Sequence, residues 1–285
     1  MADAADHRAT HLSAAETGLH RALMRPRALA YACLALLVAA GWIWLGLMLG
    51  TELNQSAWLA ALCRPAFGAS AASVPAELAL VYLMWAAMTF AMMLPTAGPM
   101  VLTYAEIAET AAQKGERVVS PLILTAGYLA VWLVFAFAAT LLQVGLTRLA
   151  GLDPALGVAS GLFSGAVFIG AGIYQFSALK HACVTQCQRP FPFFFANWST
   201  VPRTVFRLGL RQGLYCLGCC WAMMLVMLAV GVMNVVWMAL LGVVMGVEKL
   251  MSTTRFSRAV GIVFCLIGAG FIVMSVLAHW PAPQG

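Results

Sequence analysis

Long apolar stretches separated by short basic segments make up most of this chain. A membrane-spanning helix needs roughly 20 apolar residues, and five stretches are close to that length: 28–49, 78–103, 121–147, 154–177 and 260–278. A sixth stretch, 213–247, is too long for one crossing, because a single helix of that length would rise about 52 Å. The sequence Gly231-Val232-Met233-Asn234 permits a tight reversal within it. We therefore predict about seven spanning helices.

The positions of the basic residues predict which way these helices face. Cytoplasmic segments of membrane proteins are enriched in Lys and Arg. Seven spans with the amino terminus inside place all 16 basic residues except Arg64 and Arg148 at the cytoplasmic side. Treating the long stretch as one span would move the basic segment around Lys249 to the outside. The charge pattern therefore favours seven spans with the amino terminus inside.

The composition excludes the soluble classes of protein. The chain is 63% hydrophobic and 9% charged, whereas soluble domains carry about 25% charged residues. We predict an all-α, polytopic transmembrane helical bundle, embedded in a lipid bilayer. Its parts would be a disordered cytoplasmic tail at 1–27, the helical domain at 28–279 and a short tail at 280–285. The net charge of +6 is spread over four segments, so membrane orientation explains it and no nucleic-acid partner is expected.

The most informative motif is Cys216-Leu217-Gly218-Cys219-Cys220-Trp221, at the start of the fifth predicted span. Cytoplasmic thiols are kept reduced, so these cysteines indicate metal ligands or a redox pair rather than structural disulfides. Thiolate and thioether sulfurs are soft ligands that select Cu(I). Three methionines lie on the same helical face within an arc of roughly 140°, although methionine is also common packing material; they are Met223, Met224 and Met227.

A second cysteine pair, Cys183 and Cys187, lies in a basic loop after the fourth predicted span. Their i, i+4 spacing would place both thiols on one side of a helix, where both could reach one metal ion. His181 could add a nitrogen ligand, although a solvated loop histidine is the simpler interpretation. Free surface thiols or a palmitoylation site are the alternatives. We expect the two cysteine groups to meet at one point under the inner leaflet.

The second predicted span contains Met92-Met93-Leu94-Pro95 and, further along, Gly98-Pro99-Met100. The prolines and the glycine predict a break in the inner half of this helix. Transporters use broken helices at binding sites because such breaks expose backbone carbonyls, but proline also kinks spanning helices that have no such role. Met92 is the candidate ligand here.

Four motifs together resemble a family of bacterial integral membrane proteins known only as predicted metal binders with a domain of unknown function. The motifs are Met92 to Met100, Lys180 to Pro190, Cys216 to Trp221, and Gly231 to Asn234 leading to Glu248-Lys249. They cover about residues 76–250. The resemblance implies metal binding through the cysteines and no established activity. In that family an Arg often follows the second loop cysteine, whereas here Gln188 separates Cys187 from Arg189.

The leading hypothesis is a Cu(I) protein that captures or passes the metal at its cytoplasmic side, and it favours a binding protein over an enzyme. The primary ligands would be Cys183, Cys187, Cys216, Cys219 and Cys220, with Met92, Met223, Met224 and Met227 extending the path. Zn(II) is the nearest competing metal, because thiolates bind it too.

Two other functions remain open. The first is a membrane thiol–disulfide oxidoreductase, since Cys216 and Cys219 have the spacing of a redox motif. The second is a non-catalytic assembly subunit that presents metal to a partner metalloenzyme. A metallochaperone is a further possible partner.

Overall fold

A computed structural model describes residues 74–150, 161–230, 235–251 and 254–278, together with the isolated positions 35, 36, 39 and 43. Every element in these residues is helical, which agrees with the predicted all-α class. The predicted tails at 1–27 and 280–285 lie outside the described residues. The first predicted span, 28–49, is described only at the four isolated positions, where the backbone is helical.

The described residues form nine α-helices and one π-helical turn. The elements, in chain order, are α1 (Val74–Met88), the π turn (Thr89–Met93), α2 (Leu94–Gln113), α3 (Pro121–Ala150), α4 (Gly161–Tyr174), α5 (Ala178–Gln188), α6 (Pro190–Ala196), α7 (Pro202–Val230), α8 (Val235–Leu250) and α9 (Thr254–Ala278).

Four helices of the described chain are long and apolar enough to cross a membrane: 74–113, 121–146, 202–229 and 254–277. A fifth crossing is counted if α4 and α5, which are bent by 65°, are taken as one broken span. This is fewer than the seven predicted. The first predicted span lies almost wholly outside the described residues, and α8 has only 16 residues, fewer than the roughly 20 that a full crossing needs.

The long apolar stretch is divided into two helices, as its internal Gly and Asn suggested. Helix α7 ends at Val230 and α8 begins at Val235. Cys216 on α7 contacts Lys249 on α8, so the two helices run in opposite directions and bring their far ends together. The cysteine motif therefore lies roughly 14 residues, or about 21 Å of helix, from the reversal.

The predicted break in the second span is wrong. Helices α1 and α2 are continuous through the π turn, with Pro95 in the first turn of α2 and Pro99 inside it. The Met93 carbonyl, at the end of the π turn, accepts hydrogen bonds from the hydroxyls of Thr96 at 2.9 Å and Tyr128 at 3.2 Å. Side chains of α2 and α3 thus bind the backbone where the π turn passes into α2.

Glycines allow α3 and α7 to touch backbone to backbone. A Cβ atom placed on Gly127 would lie 2.2 Å from the carbonyl oxygen of Phe206, and one on Gly209 would lie 2.1 Å from that of Leu124. Small residues at helix contacts of this kind are typical of membrane bundles. The close approach brings Tyr128, the neighbour of Gly127, to the cysteine face of α7.

Candidate metal site

Three cysteines of α7 form a buried cluster. Residues three and four apart lie on one face of a helix, and the Sγ atoms of Cys216, Cys219 and Cys220 all lie within 4.8 Å of one another. Each of these residues is at most 2% exposed. Within the described chain, this trio is the group of His, Cys, Asp or Glu residues whose ligand atoms lie close enough together to hold one metal ion. All three are free thiols.

Cys216 is held by side chains from two other helices. Its Sγ lies 3.0 Å from the Tyr128 hydroxyl on α3 and accepts a hydrogen bond of 3.0 Å from the Lys249 ammonium on α8. Lys249 also donates to the Thr96 hydroxyl on α2 at 2.6 Å. The sulfur therefore faces a positive charge and the Tyr128 hydroxyl in the interior of the bundle.

Sequence reasoning missed Lys249 and Tyr128 as parts of the site. Lys249 is 33 positions from Cys216 and Tyr128 is 88, so no local spacing connects them. Next to Glu248 at the end of an apolar stretch, Lys249 had the appearance of an interfacial anchor. Its position in a motif of the resembling family was the one feature of the sequence that pointed to it.

The segment of Cys183 and Cys187 is helix α5, not a loop. The Ser177 hydroxyl caps it by accepting a hydrogen bond from the Lys180 amide at 3.1 Å. Cys183 is buried against α7, with its Sγ 2.6 Å from the position of a Cβ atom on Gly218. Cys187 is half-buried and lies near Cys219. The two cysteine groups are therefore neighbours.

The five sulfurs do not, however, form one compact set. Cys183 and Cys187 lie outside the trio whose Sγ atoms are mutually within 4.8 Å. His181 is also outside it, and its Nε2 is buried without a hydrogen-bond partner in the described part of the chain. The ligand roles of Cys183, Cys187 and His181 therefore stay predictions.

A buried ion pair fixes α5 to α8. The Lys180 ammonium lies 2.8 Å from Oε2 of Glu248, and the two side chains are 0% and 2% exposed. The Ser257 hydroxyl of α9 donates to Oε1 of the same carboxylate at 2.7 Å. The Gln188 amide adds bonds to the carbonyls of Glu248 and Met251. The helix that carries Cys183 and Cys187 is thus tied to the helix that carries Lys249.

The four predicted methionines are all buried in the interior. Met92 lies in the π turn, 3.9 Å from the position of a Cβ atom on Gly242 of α8, and the other three extend along α7 beyond the cysteines. The interior also contains Met84, Met88, Met93, Met100, Met238 and Met245. Burial fits both packing and soft-metal ligation, so the roles of these thioethers as ligands remain predictions.

The donor set suits a soft metal ion in a dry environment. The cluster has sulfur ligands, and the carboxylate of Glu248 is engaged by Lys180 and Ser257. A site that lacks free oxygen ligands is poorly suited to Mg²⁺ or Ca²⁺, whereas thiolates suit Cu(I) and Zn(II).

The comparison with protein families gives independent evidence on the kind of metal. A family model named PpoB2 and described as a copper chaperone matches residues 82–271. This range covers two thirds of the 285 residues. The chain belongs to this copper chaperone family. The matched range extends from α1 into α9 and includes Lys249 and the cysteines of α5 and α7. The match supports the metal-binding part of the resemblance, and the description of the family names copper.

No curated protein and no solved structure matches the chain.

Proposed function

We propose that this protein is a membrane-embedded chaperone that binds Cu(I) as cargo through Cys216, Cys219 and Cys220. The observation that carries the proposal is the buried trio of thiols within 4.8 Å of one another. Membership of a copper chaperone family supports copper as the cargo. Cu(I) is bound well by few soft ligands, so two or three thiolates suffice to hold it.

Copper would reach the buried trio by exchange between sulfur ligands. Each member of the trio is at most 2% exposed, so a donor cannot contact these thiols directly. Cys187 is half-buried and lies near Cys219, which makes it the sulfur best placed to pass copper inward. Cys183 would support this path from its position against Gly218.

Further steps inside the bundle would use thioethers. Met223, Met224 and Met227 follow the trio along α7, and Met92 belongs to the same buried core. Thioethers bind Cu(I) more weakly than thiolates but discriminate against hard ions. In this role they would extend the copper path from the cysteines, with His181 as a peripheral ligand.

The orientation we propose has seven spans, the amino terminus inside and a bacterial inner-membrane location. The basic segments support it, as does the antiparallel arrangement of α7 and α8. The cysteine site then opens toward the cytoplasm. A cytoplasmic metallochaperone would be the donor, and a partner metalloenzyme would receive the copper. The protein itself would act as a carrier rather than an enzyme.

Metal analysis of purified full-length protein from copper-grown cells tests the binding function. We expect bound copper with sulfur neighbours in its X-ray absorption spectrum. The double variant Cys216→Ser with Cys219→Ser should lose that copper. Cys265→Ser is the matched control, because Cys265 lies on α9 against Gly172 and should have no effect. An unchanged copper content in the double variant would refute the proposal.

A further inference from the structure

Among the hydrogen bonds of the described residues, the Lys249 ammonium is the one charged group that contacts the trio directly. Its Nζ lies 3.0 Å from Cys216 Sγ and 2.6 Å from Thr96 Oγ1. The Thr96 hydroxyl in turn donates to the Met93 carbonyl at 2.9 Å. This chain of contacts runs from the π turn through Thr96 to the ammonium and holds the positive charge at the edge of the sulfur cluster.

The neighbouring carboxylate does not neutralise this charge by direct contact. Glu248 uses Oε2 for Lys180 and Oε1 for Ser257, and both contacts lie on the side of α5 and α9. Lys249, the next residue on the helix, points to α2 and α7 instead. The two lysines thus have different functions: one pairs with the carboxylate, and the other faces the thiols.

A fixed positive charge beside a metal site acts differently on ions of different charge. Coulomb repulsion is proportional to the charge of the ion, so Lys249 opposes a divalent ion twice as strongly as a monovalent one. Geometry acts in the same direction. Structural Zn(II) sites need four ligands in a tetrahedron, whereas the compact trio supplies three.

We propose that Lys249 determines metal selectivity, favouring monovalent Cu(I) over divalent Zn(II) in the Cys216, Cys219 and Cys220 cluster. This inference rests on the proposed copper-binding function and adds the group that excludes the competing metal. Lys249 also stabilises negative charge on the Cys216 sulfur, but that effect assists both metals. It largely cancels in the ratio of the two affinities, which is therefore the quantity to measure.

The test compares the full-length protein in detergent with Lys249→Leu, which removes the charge and brings no metal-ligating atom. Cu(I) affinity is measured without oxygen against a chromogenic Cu(I) chelator, and Zn(II) affinity against a zinc chelator. We expect the preference for Cu(I) to fall by about tenfold or more in Lys249→Leu. Lys249→Arg, which keeps the charge, should retain most of the preference.

Further variants keep the test decisive. Lys114→Leu removes an exposed lysine from the end of α2 and should change neither affinity. If Lys249→Leu does not fold, Lys249→Gln provides a second neutral variant with a polar end. An unchanged affinity ratio in a folded neutral variant would overturn the inference while leaving the copper function intact. Failure of the unmodified protein to bind Cu(I) would instead refute the proposed function.

Discussion

Cys216 is the best-oriented sulfur of the cluster. Its Sγ contacts Tyr128 from α3 and Lys249 from α8, whereas Cys219 and Cys220 contact each other at 3.1 Å. Burying a charged sulfur without partners would be costly, and the ammonium reduces that cost. The Cys219 thiol donates to the Cys216 carbonyl oxygen at 3.1 Å and lies near Cys187, so it is the member of the trio placed to exchange copper with Cys187.

A substitution at Cys187 should separate copper transfer from copper storage. In Cys187→Ser the trio is intact, so copper content after long incubation should remain near that of the unmodified protein. Loading from a Cu(I)-carrying donor should slow by at least about tenfold, because the half-buried sulfur beside Cys219 is replaced by a hard oxygen that binds Cu(I) poorly. Stopped-flow loading with a colorimetric Cu(I) donor measures this rate.

The control for this experiment is Cys265→Ser, since Cys265 packs between α9 and α4 and has no contact with the trio in the described structure. Loading at the normal rate in Cys187→Ser would show that copper reaches the trio by another path. Loss of bound copper at equilibrium would instead make Cys187 a permanent ligand.

At the scale of elements, the packing of α3 on α7 decides whether Tyr128 reaches Cys216. The two backbones touch at Gly127 and Gly209, and Tyr128 follows Gly127 directly. Interiors are packed closely enough that one added methyl group at such a contact forces the helices apart. The orientation of the metal site thus depends on glycines that have no chemistry of their own.

Gly127→Ala should destabilise the bundle by about 1–3 kcal/mol, because its Cβ would lie 2.2 Å from the Phe206 carbonyl oxygen. Copper affinity should fall as well, since the Tyr128 hydroxyl moves away from Cys216. Gly145→Ala on the same helix is the matched control, because no atom lies within 4 Å of its added Cβ. Thermal unfolding in detergent, combined with Cu(I) titration, measures both effects; equal behaviour of the two variants would contradict the packing argument.

The Lys180–Glu248 pair should behave as a coupled unit. Lys180→Met leaves a buried carboxylate and Glu248→Gln leaves a buried ammonium, so each alone should cost about 3–5 kcal/mol. The double variant removes both charges and keeps an acceptor for Ser257, so it should be more stable than the sum of the single effects predicts. Unfolding of the four proteins in one detergent completes the cycle. Strict additivity would mean that the pair does not stabilise the docking of α5 on α8.

Local spacing predicts some of this site but not its surroundings. The i, i+3, i+4 pattern of Cys216, Cys219 and Cys220 is sufficient to place three thiols on one face, and the structure shows them together. The contact of Lys249 with Cys216 depends on the reversal between α7 and α8. The sequence from Gly231 to Asn234 predicted that reversal, but no local pattern tells which side chains of the two helices meet. The π turn was likewise not predicted, because Pro95 and Pro99 are as consistent with a broken helix as with a continuous one. The predicted count of seven spans exceeds what the described helices show.

At the scale of the whole molecule, the outer surface is as apolar as the interior. Large side chains such as Leu83, Val134 and Leu266 are more than half exposed, while polar Gln212, Lys180 and Glu248 are buried. Only 17% of the most apolar 18-residue segment of α9 is buried within the described structure. Water would not tolerate an exposed apolar surface of this extent, so lipid is the environment that fits these helices.

The orientation in that lipid depends on whether α8 crosses the membrane. Its 16 residues rise about 24 Å, a few ångström short of the roughly 30 Å hydrocarbon core, and a mismatch of that size can be met by local thinning of the bilayer. If α8 crosses, the basic segment after it is cytoplasmic and the C-terminus lies outside. If α8 only enters and returns, the C-terminus lies inside.

Reporter fusions in bacterial cells distinguish these two arrangements. We expect green fluorescent protein to be bright, and alkaline phosphatase inactive, when each is fused after Glu116 or after Ser199, because both connections are predicted to be cytoplasmic. At the C-terminus we expect the opposite, an active phosphatase and a dark fluorescent protein. The internal fusions serve as controls for expression and insertion. A fluorescent C-terminal fusion beside correct internal ones would show that α8 does not cross, and the seven-span topology would then be wrong although the contact of Cys216 with Lys249 could remain.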